Sequence, residues 1–186
     1  MKYLMNGQET ERLRFRLLEP SDYDSWFPFF ADQDIYRFLF LDFKKSEDEL
    51  CQFWMDKVFA RYAEDRGGMN VIEDKHTGDF IGQCGLLVQH MDGDARLEVG
   101  YSLLPNHRGK GYALEAAQFA RNYAFAKAYD KDFDNLIVSM IHVDNEPSIK
   151  VAKNNQMKWL KTFADFNEEN FHVYGQTRAS WEASVK

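Results

Sequence analysis

Only two cysteines and four prolines occur in this 186-residue chain, and its basic residues are outnumbered by acidic ones. Cys51 and Cys84 are too few for a disulfide framework and lack metal-ligand spacing, so no metal site is expected and a reducing cytosol suits them. No Pro-, Gly- or Ser-rich stretch and no charge block divides the chain, so one domain over 1–186 is expected. No apolar run approaches the roughly 20 residues that span a bilayer, and Met1-Lys2-Tyr3-Leu4-Met5-Asn6-Gly7 lacks an apolar core of signal length. A soluble, cytoplasmic protein without membrane contact is the expectation. Lys and Arg number 23 against 30 Asp and Glu, a net charge of −7, and they form no stripe that would neutralise a nucleic-acid backbone. Neither DNA nor RNA is expected as a ligand. The acidic balance serves solubility and is compatible with amine-bearing substrates.

What is present is core material, with 45% hydrophobic and 16% aromatic residues. Arg12 to Leu18 alternates charged and apolar residues, the period of a half-buried strand. Ser21, followed by Asp24, reads as an N-cap opening a helical stretch through Trp26, Phe27, Phe29 and Phe30. A second helix is expected from Ser46 to Tyr62, stopped by Gly67-Gly68. Met69–Glu73, Phe80–Gln89 and Ala95–Leu104 read as strands of an antiparallel meander, joined by turns at His76-Thr77-Gly78 and Asp92-Gly93-Asp94. Ala113, Ala117, Ala120 and Ala124 share one face of a further helix, a surface small enough to lie close against a sheet. Asn135–Val143 is of buried-strand type. A helix from Asn145-Glu146-Pro147-Ser148 to Asn154-Asn155 follows, and Met157–Asp165 with Phe171–Arg178 form a closing hairpin. Strands and helices in this order make a mixed α/β fold with helices for both sheet faces.

Between the last meander strand and the alanine-faced helix stands Arg108-Gly109-Lys110-Gly111-Tyr112-Ala113. A glycine-rich turn at a helix start presents unpaired N–H groups and the positive end of the helix dipole to an anion. Two phosphate motifs fail on spacing. A P-loop needs a hydroxyl after Lys110, where Gly111 stands, and a dinucleotide loop needs a third glycine where Leu114 stands. A diphosphate cradled by the N–H groups of Arg108 to Ala113, with charge added by Arg108 and Lys110, survives.

These residues match the Arg/Gln-x-x-Gly-x-Gly/Ala motif, and the chain resembles the GNAT acetyltransferases. It is most similar to the branch containing the ribosomal-protein N-terminal acetyltransferases. Thr10 to Arg16 resembles that branch's opening strand, Ile81-Gly82-Gln83-Cys84-Gly85 its hairpin, and Glu98-Val99-Gly100-Tyr101 the strand before the loop. Asn145-Glu146-Pro147-Ser148-Ile149 is similar to its Asn-x-x-Ser helix start, and Tyr174 to Trp181 to its ending, so the likeness runs collinearly from Thr10 to Trp181.

The resemblance implies a mostly antiparallel central sheet splayed open between two strands, with acetyl-CoA as the donor cosubstrate in the gap. Backbone groups of Val99 to Leu104, Val99, Tyr101 and Leu103 among them, would pair with the pantetheine arm. The diphosphate would lie on Arg108, Gly109, Lys110, Gly111, Tyr112 and Ala113, and Asn145 would bond the arm. An amine attacks the thioester, so a proton acceptor, oxyanion donors and a group to steady the thiolate are needed. Glu98 is the first candidate for the acceptor, with a structural ion pair or substrate contact as its alternative; His142 is the second, and His107 reads as a loop residue. Many GNAT enzymes place a tyrosine near position 152, where Ala152 stands, so Ser148 is the substitute for steadying the thiolate, with an ordinary helix-start hydroxyl as the alternative. Tyr36, Phe38 and His142 are candidates for the acceptor site among a mostly core-forming aromatic group. Where the family reads Lys-Leu-Gly-Phe, this chain has Asn154-Asn155-Gln156-Met157, and Asn155 is expected to take the left-handed turn. The acceptor is a protein N-terminus or a small amine, the enzyme a monomer or homodimer; a catalytically lapsed acyl-CoA-binding module is the competing class.

Overall fold

The computed structural model describes residues 2–32, 38–39, 41, 44–91, 93–164 and 169–185. Alternation at the N-terminus produces strand β1, Leu13–Arg16, with Leu13 and Phe15 buried and the arginines turned outward. Ser21 caps no helix, contrary to expectation. Arg16 grips Asp22 with two bonds of 2.7 and 2.8 Å, and Asp22 accepts from the Glu19 amide at 2.8 Å, so Glu19 caps a 3-10 turn opened by Pro20. Helix α1, Tyr23–Trp26, continues it. Helix α2, Glu47–Ala63, starts at Ser46 as expected: Ser46 Oγ accepts from the Glu49 amide at 3.2 Å and Glu49 accepts from the Ser46 amide at 2.8 Å.

Strands β2 (Gly67–Asp74), β3 (Phe80–Met91) and β4 (Asp94–Leu103) form the antiparallel meander. Helix α3, Tyr112–Ala126, leads to β5, Leu136–His142, and helix α4, Glu146–Asn154, to the hairpin of β6, Lys158–Ala164, with β7, Asn170–Thr177. A helix the sequence pattern did not suggest, α5, Arg178–Ser184, starts at Thr177, whose hydroxyl accepts from the Ser180 amide. The sheet has seven strands in the order β1-β2-β3-β4-β5-β7-β6, all neighbours antiparallel except β4 and β5.

Alternation along β2 sends Ile72 to one face and Met69 and Val71 to the other. The first face receives α3, whose Ala116, Ala117, Ala120 and Ala124 are fully buried; alanine there lets helix and sheet approach closely. The second receives α1, the 3-10 turn that follows it and α2 through Trp26, Phe29, Phe30, Leu50, Met55 and Val58. Among the described residues, no helix is long and apolar enough to cross a membrane.

The expected left-handed turn falls one residue later than Asn155. Asn155 has φ −79°, and Gln156 takes φ +58°. Asn155 is almost wholly buried, its Nδ2 donates to the Ala117 carbonyl at 3.2 Å and its own carbonyl accepts from Arg121, so the α3–α4 seam holds it in place and the reversal passes on.

Candidate active site

β4 and β5 are paired only at Leu97 with Ile137 and Glu98 with Val138. Beyond Glu98 they part, and the parallel arrangement explains why: each strand leads into its own helix, α3 or α4, and the two helix starts occupy the two banks of the gap. Ser139 donates to the Val99 carbonyl at 2.8 Å, closing the fork.

The opening holds two clefts that meet. The larger, about 600 Å³, runs along Tyr101, Ser102 and Leu103 to Arg108, Gly109, Gly111, Tyr112 and Ala113, with Pro147, Lys150 and Val151 opposite. The smaller, about 160 Å³, reaches from the fork toward α2 through Trp54, Lys57, Val58 and Arg61. Phe38, Leu39, Tyr101, Ser102, Asn145 and Ser148 line both and form the junction.

The glycine turn has the expected geometry. Gly109 and Gly111 have φ +72° and +85°, conformations that cost an L side chain strain, and Gly111 is the residue before the first turn of α3. The turn is braced from behind. Arg12 donates to the Lys110 carbonyl at 2.9 Å and to Glu115 at 2.6 Å, lies 4.5 Å from the centre of the Tyr112 ring, and Tyr112 in turn donates to Asp74 at 3.1 Å. The α3 N-terminus with Gly109, Gly111, Tyr112 and Ala113 therefore faces the large cleft on a rigid support.

Of the two charges of the turn, Arg108 is among the residues lining the large cleft. Arg108 donates to the Leu103 carbonyl at 2.7 and 3.0 Å and approaches Asp32 at 3.4 Å, tying the turn to the end of β4, and Lys110 is not among the residues lining the large cleft. Lys150 on α4 does line it, a residue with no sequence signal to single it out. Of the three edge residues, Val99 and Leu103 already have engaged carbonyls. Tyr101, two residues from Val99, directs its peptide to the same side by strand alternation and stands midway along the open edge.

At the junction, Asn145 Oδ1 accepts from the Ser148 amide at 3.2 Å, so Asn145 caps α4 while lining both clefts. The Tyr101 hydroxyl donates to the Ser148 carbonyl at 3.0 Å, fastening the helix start to the strand across the gap. Burial pushes the Tyr101 phenol well up, so it stays protonated. Ala152 is buried in the core and offers nothing to the cleft.

Glu98 sits at the crotch of the fork. It is only 8% exposed, Oε2 accepts from Gln89 at 3.0 Å, and Oε1 accepts from the Met140 amide at 3.2 Å, an amide the splay has taken from the sheet ladder. Burial pushes its carboxyl above the usual glutamate range, opposed by those two bonds and by the charges of Arg61 and Lys57. His142 ends β5 with Nδ1 accepting from the Asp144 amide at 3.2 Å and Nε2 3.1 Å from Glu169, the pattern of an imidazole protonated at Nε2. It lines the small cleft beside Phe38, the ring centres 5.4 Å apart. Tyr36 lies outside the described residues. Arg61, Gln89 and Lys57 were invisible as site residues because they sit in ordinary helix and strand patterns; the pairing of β3 with β4 sets Gln89 beside Glu98, and the packing of α2 over the fork brings Arg61 and Lys57.

The Acetyltransferase (GNAT) domain family matches residues 12–158. Among relatives, YkkB of Bacillus subtilis (strain 168) is 30% identical over 160 residues, covering 86% of this chain and 89% of that protein. The uncharacterized N-acetyltransferase p20 of Bacillus licheniformis is 31% identical over 146 residues, 76% of each. Among solved structures, an acetyltransferase from Agrobacterium tumefaciens str. C58 superposes with a TM-score of 0.74 at 24% identity, covering 95% of this chain and 96% of that one. RimL, a ribosomal L7/L12 alpha-N-protein acetyltransferase solved with coenzyme A, gives 0.70 at 15% identity over 92% and 97%. Spermidine N-acetyltransferase from Vibrio cholerae, solved with CoA and spermine, gives 0.69 at 18% identity over 93% and 99%. At such identities the structures speak for the fold alone, and they share the forked sheet's class. With a family match spanning most of the chain and the glycine turn seated at the fork, this protein belongs to the GNAT acetyltransferase family.

Proposed function

We propose that the protein transfers the acetyl group of acetyl-CoA to a primary amine by direct attack in a ternary complex. The observation that carries this is the meeting of two clefts at Tyr101, Asn145 and Ser148 beside Glu98. In this reading the large cleft takes the donor. Its diphosphate lies on the N–H groups at the start of α3, with Lys150 across the cleft, and its pantetheine arm follows the open edge of β4. The thioester then reaches the junction. The acceptor enters the small cleft as an ammonium and loses a proton to Glu98 through a water. Its lone pair forms the new C–N bond, the tetrahedral oxyanion collapses, and the C–S bond breaks. The second proton on nitrogen passes to the departing sulfur, steadied by the Ser148 hydroxyl. A buried carboxyl with an upward-shifted titration suits proton acceptance from an amine better than an ordinary surface glutamate does.

The lining of the small cleft bears on the acceptor. Glu98 is its single carboxylate among the described lining residues, against Lys57, Arg61 and a majority of apolar side chains. That favours one amine on an apolar body, a protein N-terminus or a small monoamine, over a polycation such as the spermine held by the Vibrio cholerae neighbour. The cytoplasm and a single domain fit the two buried thiols and the undivided sheet. The buried Ala152, near the position where many GNAT enzymes carry a tyrosine, favours one second reading, an acyl-CoA-binding module without turnover.

Thermal melting with acetyl-CoA and CoA release with an amine panel separate the two. Stabilisation with release supports the enzyme, stabilisation without release from any amine supports the module, and no stabilisation at saturating acetyl-CoA defeats both. Gly111→Glu sets a carboxylate at the diphosphate position. It is expected to abolish the acetyl-CoA-induced rise in Tm while the protein remains folded.

A further inference from the structure

A hydrogen-bonded chain runs from α2 to the fork and ends on Glu98. Arg61 is 4% exposed; its Nη1 donates to the carbonyls of Arg66 and Val88 at 3.2 and 3.1 Å, and its Nη2 donates to Gln89 Oε1 at 2.6 Å. Gln89 Nε2 then donates to Glu98 Oε2 at 3.0 Å. This orientation of the Gln89 amide alone satisfies both neighbours, since guanidinium offers only donors and carboxylate only acceptors. The amide thus lies between a buried cation and a buried anion with its dipole aligned to both.

We propose that Arg61 and Gln89 are positioning residues for Glu98: Arg61, acting through Gln89, fixes the carboxylate at the fork and sets the pH at which it becomes able to accept a proton. The spacing is what makes this useful. A guanidinium in direct contact would hold the carboxylate so firmly ionised that it would be a poor base. With no cation nearby, burial would hold its carboxyl still further above the usual glutamate range. One intervening amide gives the intermediate case, and the two bonds from Gln89 and the Met140 amide leave a further lone pair on each carboxylate oxygen. The other groups facing Glu98 are Lys57 from α2, which adds positive charge, and Tyr101 further along β4, which stays neutral; His142 from β5 shares the cleft. Lys57 is at the rim and makes no hydrogen bond to the carboxylate, so the chain through Gln89 carries the directional control.

The inference rests on the reading of Glu98 as proton acceptor, and two measurements keep them apart. The first is titration of the Glu98 side-chain carboxyl by 13C NMR in the whole protein, the resonance assigned by its loss in Glu98→Gln. Gln89→Leu is expected to move the midpoint up by about one pH unit or more, and Arg61→Lys by less, because the charge is retained while the fork geometry is not. A midpoint that stays in place in Gln89→Leu overturns the proposal. The second is the pH dependence of kcat/KM for the best acceptor of the amine panel at saturating acetyl-CoA. Gln89→Leu should shift the acid limb upward with the plateau lowered less than threefold, and should add no further loss to Glu98→Gln. An equal loss at every pH, or losses that multiply in the double variant, marks Gln89 as merely structural and overturns the proposal. If Glu98→Gln itself keeps the acid limb, the proton-acceptor reading falls, whatever the NMR midpoint does. Should Arg61→Lys not fold, the Gln89 variant carries both measurements.

Discussion

Glu98 is buried, ionisable and bonded through both oxygens, so its proton has consequences for folding and, on the proposed reading, for turnover. Its folded-state titration lies above the ordinary glutamate value of 4.5, which means that its stabilising contribution is full below that value and is lost as pH rises through the raised one. Relative to Glu98→Gln, the wild-type protein should therefore gain stability as pH falls from neutrality toward 4.5, and lose activity over the same range. Urea unfolding at a series of pH values, with kcat/KM beside it, checks both; a stability difference that is flat with pH would show that Glu98 is not held as described. Gln156 offers a second test at this scale. It carries φ +58°, a conformation that costs a side-chain-bearing residue about 1–2 kcal/mol, of which glycine's extra unfolded-state freedom takes back up to about 1 kcal/mol. Gln156→Gly should stabilise the fold by about 0.5–1 kcal/mol, read as a higher urea midpoint with unchanged slope. Which of Asn155 and Gln156 takes the left-handed place was not legible in the sequence. Both tolerate the region to some degree, and the choice is made by Ala117 and Arg121 on a helix more than thirty residues away.

Elements were legible where a local pattern sufficed. The helix start at Ser46, the two-residue period of β1, the strand runs of the meander between their turns, and the alanine face of α3 all depend on neighbours in sequence, and the structure forms them there. Two features are not local. The fork opens after Glu98 because β4 and β5 diverge toward different helices, and the extent of strand pairing is a property of the assembled sheet. Likewise α5 is short and without a strong apolar stripe, so its reality lies in tertiary contacts. Arg178 at its start donates to both oxygens of Asp130, one bond measuring 2.9 Å, and to the Phe125 carbonyl at 2.9 Å, while its guanidinium faces the Phe125 and Trp181 rings. The Asp130 side chain is completely buried. Arg178→Ala leaves that carboxylate without its partner and is expected to cost about 3–5 kcal/mol, whereas Arg178→Lys, which keeps the charge, should cost less than half as much. Chemical denaturation of the two variants checks the ratio. Because the large cleft meets α3 at its N-terminal end and this cluster lies at the C-terminal end of the same helix, the surviving folded fraction of each should retain its acetyl-CoA-induced stabilisation.

For the molecule as a whole, the net charge of −7 and the charge of the acceptor cleft point in opposite directions. A surface of that sign draws cationic amines by long-range attraction, an effect that salt weakens over about 10 Å at 0.1 M. At the fork the balance reverses, with Lys57 and Arg61 set against one carboxylate that burial inclines toward neutrality. On the proposed reading, the mouth gathers amines without selecting among them, and the cleft admits the one that brings a single ammonium and apolar surface. The sequence could show the first half of this, since net charge is a sum over residues. The second half needed α2 laid across the sheet. Across a series of equal chain length, the protein should use a monoamine with at least tenfold higher kcat/KM than a triamine, and Lys57→Glu should narrow that ratio about tenfold, equivalent to about 1.4 kcal/mol, chiefly by raising kcat/KM for the triamine. Raising salt should lower kcat/KM for both amines together and leave most of their ratio in place, because attraction to the surface is screened far more than the buried charges of Arg61 and Glu98. A ratio that follows salt would assign the selection to the surface, and a triamine preferred by the wild-type protein would overturn the cleft's role in choosing the acceptor.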